Sequence, residues 1–424
     1  MTLTEFHIGI DDTDSESGGC TTYTAAVLFQ ELCNRRVQPC DFPWLVRLNP
    51  NIPWKTRGNG ALSIHLVVDN NQIQAVEDLA LKITETTADM SARKTDPAVV
   101  FLQGHVPENL HEYSVSALHD VLTIRQAKKV ARMAGVKTHL LKGTRGLIGS
   151  LAAVGAKLDE VDHTFEIIAY RTKENLGTPR LVDTESIRLM NTLHCARTFH
   201  NLDPESGRIL VCPHGPDPVL LGIRGLTPQD VQEAFNQVRI HEIVERVMIF
   251  KTNQGTDAHL TRTRRTIDLA PHQSAILVGR VETVPKVLRG GHVIFQLRDD
   301  TGSVCCAAYA PTRSLRTASK DLLPGDRVRV YGGIREDRDG RLTLNLEKIK
   351  VLELVEKLDR ENPSCAMCGG RCESMGRGQG FRCKKCGFQD ATATTIATAS
   401  YRNLQPMTYT AAVGARRHLS RPDT

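Results

Sequence analysis

Two Cys-x-x-Cys pairs near the end of this 424-residue chain restrict how their segment can fold. Fourteen residues separate the pairs, and so short a segment cannot build a hydrophobic core without a metal ion. Four thiolates on two tight turns suit tetrahedral zinc, whereas the alternative of paired disulfides is disfavoured in a reducing cell. The pattern predicts a structural zinc ribbon over residues 363–390, with the zinc ligands Cys365, Cys368, Cys383 and Cys386.

The region before the ribbon, residues 270–356, has the pattern of a small β-barrel. Apolar, alternating segments are separated by the turn signals Asp-Thr-Gly, Pro-Gly-Asp and Asp-Gly. Five strands in about 80 residues, with one helical insertion before the fourth, are typical of an OB fold. Such barrels bind oligonucleotides, oligosaccharides or proteins, so the pattern predicts a fold and leaves the ligand open.

The N-terminal half alternates between strand and helix patterns. The first hundred residues follow the order β-α-β-β-α-β, which can form a ferredoxin-like layer. Residues 205–253 give a smaller β-β-α-β unit that begins with the expected strand "RILVCPH". With 40% hydrophobic and 24% charged residues, the chain has a globular composition, and its length exceeds one ordinary domain. The predicted class is a multidomain α+β protein.

The first strand, "FHIGI", is followed by three carboxylates within four positions. An acidic surface turn is one interpretation. The other is a Mg²⁺ site, because carboxylates are hard oxygen ligands and Mg²⁺ usually arrives with substrate phosphates. The Gly-Gly-Cys-Thr-Thr segment that follows favours this second interpretation, since its backbone and hydroxyl groups could hold phosphates. The predicted Mg²⁺ ligands are Asp11, Asp12 and Asp14, and the predicted nucleotide contacts, which the family resemblance described below assigns to ATP, are Gly9, Ser15, Gly18, Gly19 and Thr22.

A second glycine-rich segment, "KGTRGLIGSLAAVG", opens a helix pattern at residues 142–155. Backbone N–H groups at a helix start favour anions. The segment lacks the order of a P-loop, and glycines at this spacing also permit close helix packing. The anion contacts predicted here, which the family resemblance described below assigns to ATP, are Lys142, Gly143, Arg145 and Gly146.

Cations and a tryptophan indicate nucleic-acid contacts. The segment "RLNPNIPWKTRGNGA" places cations beside a stacking surface, although a structural loop would explain it equally well. From Arg360 onward, ten Lys/Arg against four Asp/Glu account for the whole net charge of +6. A basic end suggests a bound polyanion, with a solvated tail as the alternative. The predicted RNA contacts are Arg47, Trp54, Lys55, Arg57, Arg377, Arg382, Lys384, Lys385, Arg416 and Arg417.

Long motifs follow one another along nearly the whole chain, among them "GIDDTDS", "GGCTTY", "PVLLGIRG", "TNQGTDAHL", "ESMGRGQGFRCKKC" and "ARRHLS". Their order resembles that of the archaeal 2-agmatinylcytidine synthetases. The resemblance implies an ATP-dependent ligase that attaches agmatine to the wobble cytidine of the CAU-anticodon isoleucine tRNA, so that AUA is read. It implies a kinase-like ATP/Mg²⁺ domain (1–180), a ferredoxin-like domain (181–265), an OB fold (270–356), a zinc ribbon (363–390) and a basic C-terminal tail (391–424).

The resemblance also implies a chemistry. The base carbonyl would be phosphorylated and the phosphate then displaced by agmatine, with Mg²⁺ on the three aspartates and an autophosphorylated threonine at Thr21. Because agmatine is a dication, its pocket needs acids, and Asp183 and Asp257 are the candidates. The implied cofactors are ATP, Mg²⁺ and structural zinc. The implied partners are the isoleucine tRNA and agmatine in the cytoplasm, with no membrane.

Two other functions fit parts of the sequence. A non-enzymatic protein that binds single-stranded nucleic acid through its OB fold and ribbon would leave the aspartate cluster without a role. An ATP-dependent tRNA-modifying enzyme on the same scaffold could use another amine.

Overall fold

The computed structural model describes residues 3–16 and 18–422. Within these ranges, ten strands form one continuous sheet that runs through the first two units. The first unit places its strands in the order β5-β1-β4-β3, each antiparallel to its neighbour, which confirms the ferredoxin-like layer. Its elements are β1 (Leu3–Asp11), α1 (Thr21–Asn34), β2 (Gln38–Pro39), β3 (Trp44–Arg47), β4 (Gly60–Asp69), α2 (Ile73–Thr87) and β5 (Ala98–Gln103).

Further elements cover the second face of this layer. Phe6, Ile8 and Ile10 of β1 pack with α1 and α2 on the first face. On the opposite face a Cβ on Gly9 would lie 2.3 Å from the carbonyl oxygen of Ser150, so only glycine lets the last helix approach so closely. This contact brings the start of that helix to the end of β1. The added elements are α3 (Glu108–His119), α4 (Ile124–Met133), β6 (Lys137–Leu140) and α5 (Gly146–Gly155).

The second unit repeats the topology of the first. Its strands lie in the order β10-β7-β9-β8, again antiparallel, and β10 pairs in parallel with β3 to join the two units. Its elements are β7 (Thr164–Arg171), α6 (Thr184–His194), β8 (Thr198–Phe199), β9 (Val219–Gly225), α7 (Pro228–Asn236) and β10 (Val244–Thr252).

Two expectations for this unit need correction. The boundary expected at residue 180 leaves β7 in the first domain, whereas the pairing of β7 with β9 and β10 groups it with the second unit. The expected strand "RILVCPH" is a loop with one isolated bridge, between Ile209 and Leu202, and its apolar residues pack on the core of the second unit as well as lining the cleft.

A closed barrel follows, as the OB pattern predicted. Its strands run in the order β11-β15-β16-β14-β13, and β11 also pairs with β13 to close it. Leu277, Phe295 and Val330 are buried in its core, and the helical insertion precedes the fourth strand. Its elements are β11 (Ser274–Val281), β12 (Lys286–Val287), β13 (Val293–Arg298), β14 (Ser303–Ala308), α8 (Ser314–Lys320), β15 (Arg327–Glu336) and β16 (Leu342–Glu353).

The last seventy residues hold the ribbon and a segment that returns to the body of the protein. Residues 391–424 were expected as a basic tail, but β21 pairs with β17 and β22 pairs with β16. No helix in the described ranges is long and apolar enough to cross a membrane. The elements are β17 (Lys357–Glu361), β18 (Cys372–Ser374), β19 (Phe381–Cys383), β20 (Gln389–Asp390), β21 (Ile396–Ser400) and β22 (Thr408–Thr410).

Candidate active site

A cleft of about 1420 Å³ lies where the first two units meet. The first unit supplies the end of β1, the start of α1 and the loops at 52–60 and 92–95. The second unit supplies residues of β7 and β9 and the loop 208–217, and His418 reaches in from the C-terminal segment. The continuous sheet therefore places polar residues from distant parts of the chain around one space.

The three aspartates of the first unit line this cleft. Asp12 and Asp14 are buried, and burial raises the pKa of Asp12 to about 6 although Arg145 opposes the shift. Burial also raises the pKa of Asp11 well above its usual range, and the charge of Asp12 adds to this effect. Crowded, desolvated carboxylates of this kind are unfavourable without a cation. The donor chemistry therefore fits Mg²⁺.

Two arginines and a threonine hydroxyl form hydrogen bonds or ion pairs with these carboxylates in the present structure. Arg145 Nε donates to Asp12 Oδ2 at 2.9 Å, and Thr56 Oγ1 donates to Asp14 Oδ1 at 2.9 Å. Arg57 Nε lies 3.7 Å from Asp14 Oδ2. The aspartates do not converge as tightly as metal-bound ligands, since within the described residues the one group of three or more such donors within 4.8 Å is the cysteine set of the ribbon.

The loop that links β1 to α1 has the features of a phosphate site. Thr21 and Thr22 are buried at the first turn of α1, and the N-cap residue Cys20 makes no capping hydrogen bond with its side chain. The N–H groups of an uncapped helix start favour an anion. Gly19 has φ 67°, and a Cβ there would lie 2.8 Å from the carbonyl oxygen of Thr13, so the loop requires glycine. Ser15 N donates to Gly18 O at 2.8 Å and closes the turn.

Only part of the second glycine-rich segment reaches the cleft. Arg145 lines it, but Lys142 donates to the carbonyl oxygen of Ala92 at 2.6 Å. Gly143 lies against the carboxylate of Asp96, and Gly146 lies against its carbonyl oxygen. These two glycines, like Gly9, permit close packing and do not line the cleft, which is the alternative that the sequence left open.

The two expected agmatine contacts lie elsewhere. Asp183 caps α6 by accepting from the backbone N of Glu185 at 2.8 Å, and it lies 2.7 Å from Arg239. Asp257 pairs with Lys348 and accepts from the backbone N of Arg421 at 2.8 Å. Neither aspartate lines the cleft.

Two acids that the sequence analysis missed do line the second unit's wall of the cleft. Glu166 is buried in β7 and accepts from Arg224 Nε at 3.0 Å. Asp217 is buried in the turn before β9, 3.5 Å from Arg180 and 3.8 Å from Arg57. A charged residue inside the apolar run "HTFEIIAYR" was a sequence signal for Glu166, since acids are rarely buried without a partner.

The expected RNA contacts fall into two groups. At the cleft, Arg47 lies 3.9 Å from Glu166, and Trp54 is 51% exposed at the rim with its ring 5.9 Å from that of His272. Lys55 and Arg57 come from the same loop as Trp54, and Arg416 and Arg417 lie beside Lys55. In the ribbon, the expected contacts are Arg377 and Lys385, which are exposed, and Arg382 and Lys384, which both pair with Glu373.

The ribbon cysteines have the geometry of a zinc site. The Sγ atoms of Cys365 and Cys386 are 3.6 Å apart, and those of Cys368 and Cys383 are 3.5 Å apart. A disulfide requires about 2.05 Å, whereas tetrahedral zinc with bonds of about 2.3 Å separates its sulfurs by about 3.8 Å. Backbone N–H groups of Cys386 and Lys385 hold the pKa of the Cys383 thiol at about 6, which favours the thiolate.

Family models match four successive parts of the chain. The TiaS TCKD domain matches residues 7–143 and the TiaS FLD domain matches residues 144–259. The OB-fold nucleic acid binding domain matches residues 275–352, and the TiaS C-terminal zinc ribbon domain matches residues 362–404. The division near residue 143 agrees with the grouping of β7 with the second unit.

The chain is similar over its whole length to curated proteins. The 2-agmatinylcytidine synthetase TiaS for isoleucine-2 tRNA from Pyrococcus horikoshii is 41% identical over 416 residues, which cover 98% of this chain and 96% of that protein. The protein of the same name from Methanosarcina mazei is 41% identical over 423 residues, which cover 98% of this chain and 96% of that protein.

Solved structures share the whole fold. The crystal structure of TiaS in complex with isoleucine-2 tRNA and ATP matches with a TM-score of 0.88 and 40% identity, covering 99% of this chain and 97% of that one. The complex of TiaS with the same tRNA, AMPCPP and agmatine matches with a TM-score of 0.85 and 37% identity, covering 99% of this chain and 96% of that one.

Proposed function

This chain belongs to the family of 2-agmatinylcytidine synthetases for isoleucine-2 tRNA, and from that premise we propose that ATP, agmatine and the tRNA meet in the cleft between its first two units. The protein is an ATP-dependent synthetase that forms agmatidine on isoleucine-2 tRNA. The observation that carries this function is the identity of about 40% over nearly the full length of each relative. The modified base is the wobble cytidine, which allows AUA to be decoded, and the protein acts in the cytoplasm.

ATP occupies the part of the cleft in the first unit. The uncapped start of α1 and the loop through Gly18 and Gly19 support this placement, because both offer backbone groups to phosphates. Asp11, Asp12 and Asp14 would hold Mg²⁺, which when bound offsets negative charge on the phosphates. Arg57 and Arg145 lie beside these carboxylates and would offer positive charge to the same phosphates.

Phosphoryl transfer activates the base. The oxygen on ring position two of cytosine attacks a phosphorus of ATP, so that an O–P bond forms and the phosphoanhydride bond to the departing nucleotide breaks. This oxygen alone is a poor leaving group, but as phosphate it departs when the amine of agmatine adds to the ring carbon and loses a proton. The residue for autophosphorylation is Thr21, whose hydroxyl lies at the first turn of α1 and accepts from Thr13 Oγ1 at 3.2 Å.

Agmatine lies against the wall of the second unit. It carries two positive charges, and Asp217 and Glu166 are the buried acids of this wall. Asp183 and Asp257 were expected in this role, but their carboxylates are engaged outside the cleft. We therefore assign the agmatine contacts to Asp217 and Glu166.

The direct test is mass spectrometry of the wobble nucleoside. The protein is incubated with a transcript of isoleucine-2 tRNA, ATP and Mg²⁺, and with agmatine or another amine in parallel reactions. We expect the mass of the agmatine adduct and consumption of ATP, and a transcript with uridine at the wobble position serves as the control. Binding of tRNA without ATP consumption would indicate a binding protein instead, and an adduct with a different amine would redefine the substrate.

A further inference from the structure

A second, smaller cavity of about 220 Å³ opens beside the cleft, between the loop 53–60 and the C-terminal segment. Its volume equals roughly seven water molecules, which is room for a small polar group and a few waters. Among the described residues, the cavity is lined by five cations and a histidine with no carboxylate. These residues are Arg47, Lys55, Arg57, Arg416, Arg417 and His418.

The fold builds this cavity from two distant parts of the chain. Gly255 N donates to His418 O at 3.0 Å, and Asp257 N donates to Leu419 O at 2.7 Å, so the C-terminal segment is fixed to the second unit. The loop of the first unit approaches it closely at Gly58, where a Cβ would lie 2.8 Å from His418 Cδ2. The cations thus stand in a formed cavity and not on a solvated tail.

Within the described residues, Lys55 and Arg417 form no ion pair, whereas Arg47 lies near Glu166 and Arg57 lies near Asp14 and Asp217. In the described part of the chain, no hydrogen bond or ion pair engages the side chain of Lys55 or Arg417, and the Nε of Arg47 is buried without a partner. Burial and the charge of Arg417 lower the pKa of Lys55. Burial raises the pKa of Glu347, but the charges of His259 and then Arg417 lower it. The carboxylate of Glu347 accepts a hydrogen bond from His259 Nε2 at 3.0 Å. Positive charges held together in this way favour an anion.

The central histidine adds a neutral donor to the cavity. Burial, and then the charges of Arg47 and Arg224, hold the pKa of His418 well below its usual range. A neutral imidazole avoids a further positive charge and can still donate a hydrogen bond to an anion. The cavity therefore offers both cations and a neutral hydrogen-bond donor to one bound anion.

We propose that this cavity binds one backbone phosphate of the tRNA and so positions the target nucleotide for entry into the neighbouring cleft. The proposal rests on the proposed function. A phosphate of ATP has the same chemistry, but the aspartates and the start of α1 that suit Mg²⁺ and ATP lie in the larger cleft. Trp54, half exposed and adjacent to Lys55, offers a surface on which a neighbouring base can stack.

The test combines charge removal on the protein with charge removal on the RNA. Binding of the full-length protein to isoleucine-2 tRNA is measured against salt for wild type, Lys55→Ala, Arg417→Ala and the double variant, with exposed Lys82→Ala on α2 as the control. One phosphate contact changes the slope of log K against log salt by about 0.7–0.9. We therefore expect the slope of each single variant to be shallower than that of wild type by about this amount. The double variant should lose little more than either single variant, since both side chains face one phosphate.

On the RNA side, methylphosphonates replace the anticodon-loop phosphates one at a time. Wild type should lose affinity at one position next to the wobble nucleotide, and the double variant should show no additional loss there. Unchanged slopes, or equal losses at every position in both proteins, would overturn the proposal. A weaker ATP affinity without RNA, at an unchanged salt slope, would assign the cavity to ATP instead. These measurements report binding and do not require the modification reaction, so they test the proposal even if the protein fails to attach agmatine.

Discussion

Asp12 is a buried carboxylate beside two others, and burial raises its pKa to about 6 although Arg145 donates a hydrogen bond to it. Such groups cluster at functional sites. Asp12→Asn removes one of the crowded negative charges, so we expect the ligand-free protein to unfold at the same or a higher temperature. Formation of agmatidine should be abolished, because Mg²⁺ with ATP is no longer held. Melting curves and nucleoside mass spectrometry measure the two effects.

The response to ligand separates a metal site from a screened surface turn. Mg²⁺ with ATP should raise the melting temperature of wild type, since a ligand that binds only the folded state stabilises it. The Asp12→Asn protein should lose most of that increase, while Asp78→Asn on the exposed face of α2 should keep it. An active Asp12→Asn enzyme with a normal response would contradict the metal-site assignment.

Asp217 and Asp183 form a matched pair for the agmatine assignment. Asp217→Asn removes a buried negative charge from the cleft wall, so we expect the KM for agmatine to rise at least tenfold, about 1.4 kcal/mol of lost binding, with the KM for ATP little changed. Asp183→Asn should leave both constants near wild type, because asparagine also caps a helix. Steady-state kinetics with varied agmatine measures this. Equal KM values for agmatine in the two variants would refute the assignment.

Sequence reasoning located the acids that stand together in the chain and missed those that the fold assembles. Asp11, Asp12 and Asp14 lie within four positions, so a local pattern could find them. Asp217 and Glu166 reach the same cleft only through the pairing of β7 with β9 and β10, which no local pattern encodes.

At the scale of elements, the ribbon depends on its metal more than on packing. Its buried cluster is three cysteines and Phe381, too small to fold alone. Cys383→Ser should abolish bound zinc, unfold residues 363–390 and weaken tRNA binding, while ATP binding is retained because the cleft lies in other units. Metal analysis and filter binding measure these effects, with Cys33→Ser on α1 as the control. Full zinc content in Cys383→Ser would contradict the ligand assignment.

Most elements were predictable because local signals agreed with the fold. β1, α1, β5 and the barrel strands have clear periodicity and turn residues, whereas "RILVCPH" has the apolar content of a strand but forms only one isolated bridge in the described structure. Val211 of this segment is buried in the core of the second unit, and its neighbours also line the cleft. Composition alone could not distinguish these two ways of burying the same residues.

For the whole molecule, the decisive contacts join units far apart in sequence. β3 pairs with β10, β16 with β22, and the C-terminal segment with the loop after β10. These contacts place the cleft, the barrel and the last residues in one body. The sequence indicated four modules, but their contacts follow from strand pairings between residues as far apart in the chain as Trp44 and Lys251.

His119 connects two of these parts and makes their assembly sensitive to acid. It is buried at the end of α3, with Nδ1 2.8 Å from Val115 O and Nε2 2.8 Å from Thr261 Oγ1, in the segment that leads to the barrel. Burial lowers its pKa from 6.5 to about 4. The folded protein therefore binds the proton less readily than the unfolded chain. The stability contributed by neutral His119 is complete above pH 6.5 and is lost as the pH falls toward 4.

The expected loss is about 3 kcal/mol of unfolding free energy between pH 7.5 and pH 4, from the shift in pKa. His119→Gln keeps a hydrogen-bonding side chain without a titrating group, so its stability should fall less over the same range. Denaturant unfolding of both proteins at several pH values measures the difference. Other buried histidines with lowered pKa values, His7, His65 and His418, contribute equally to both proteins and cancel. Parallel pH profiles for the two proteins would show that His119 titrates normally and that the acid sensitivity arises elsewhere.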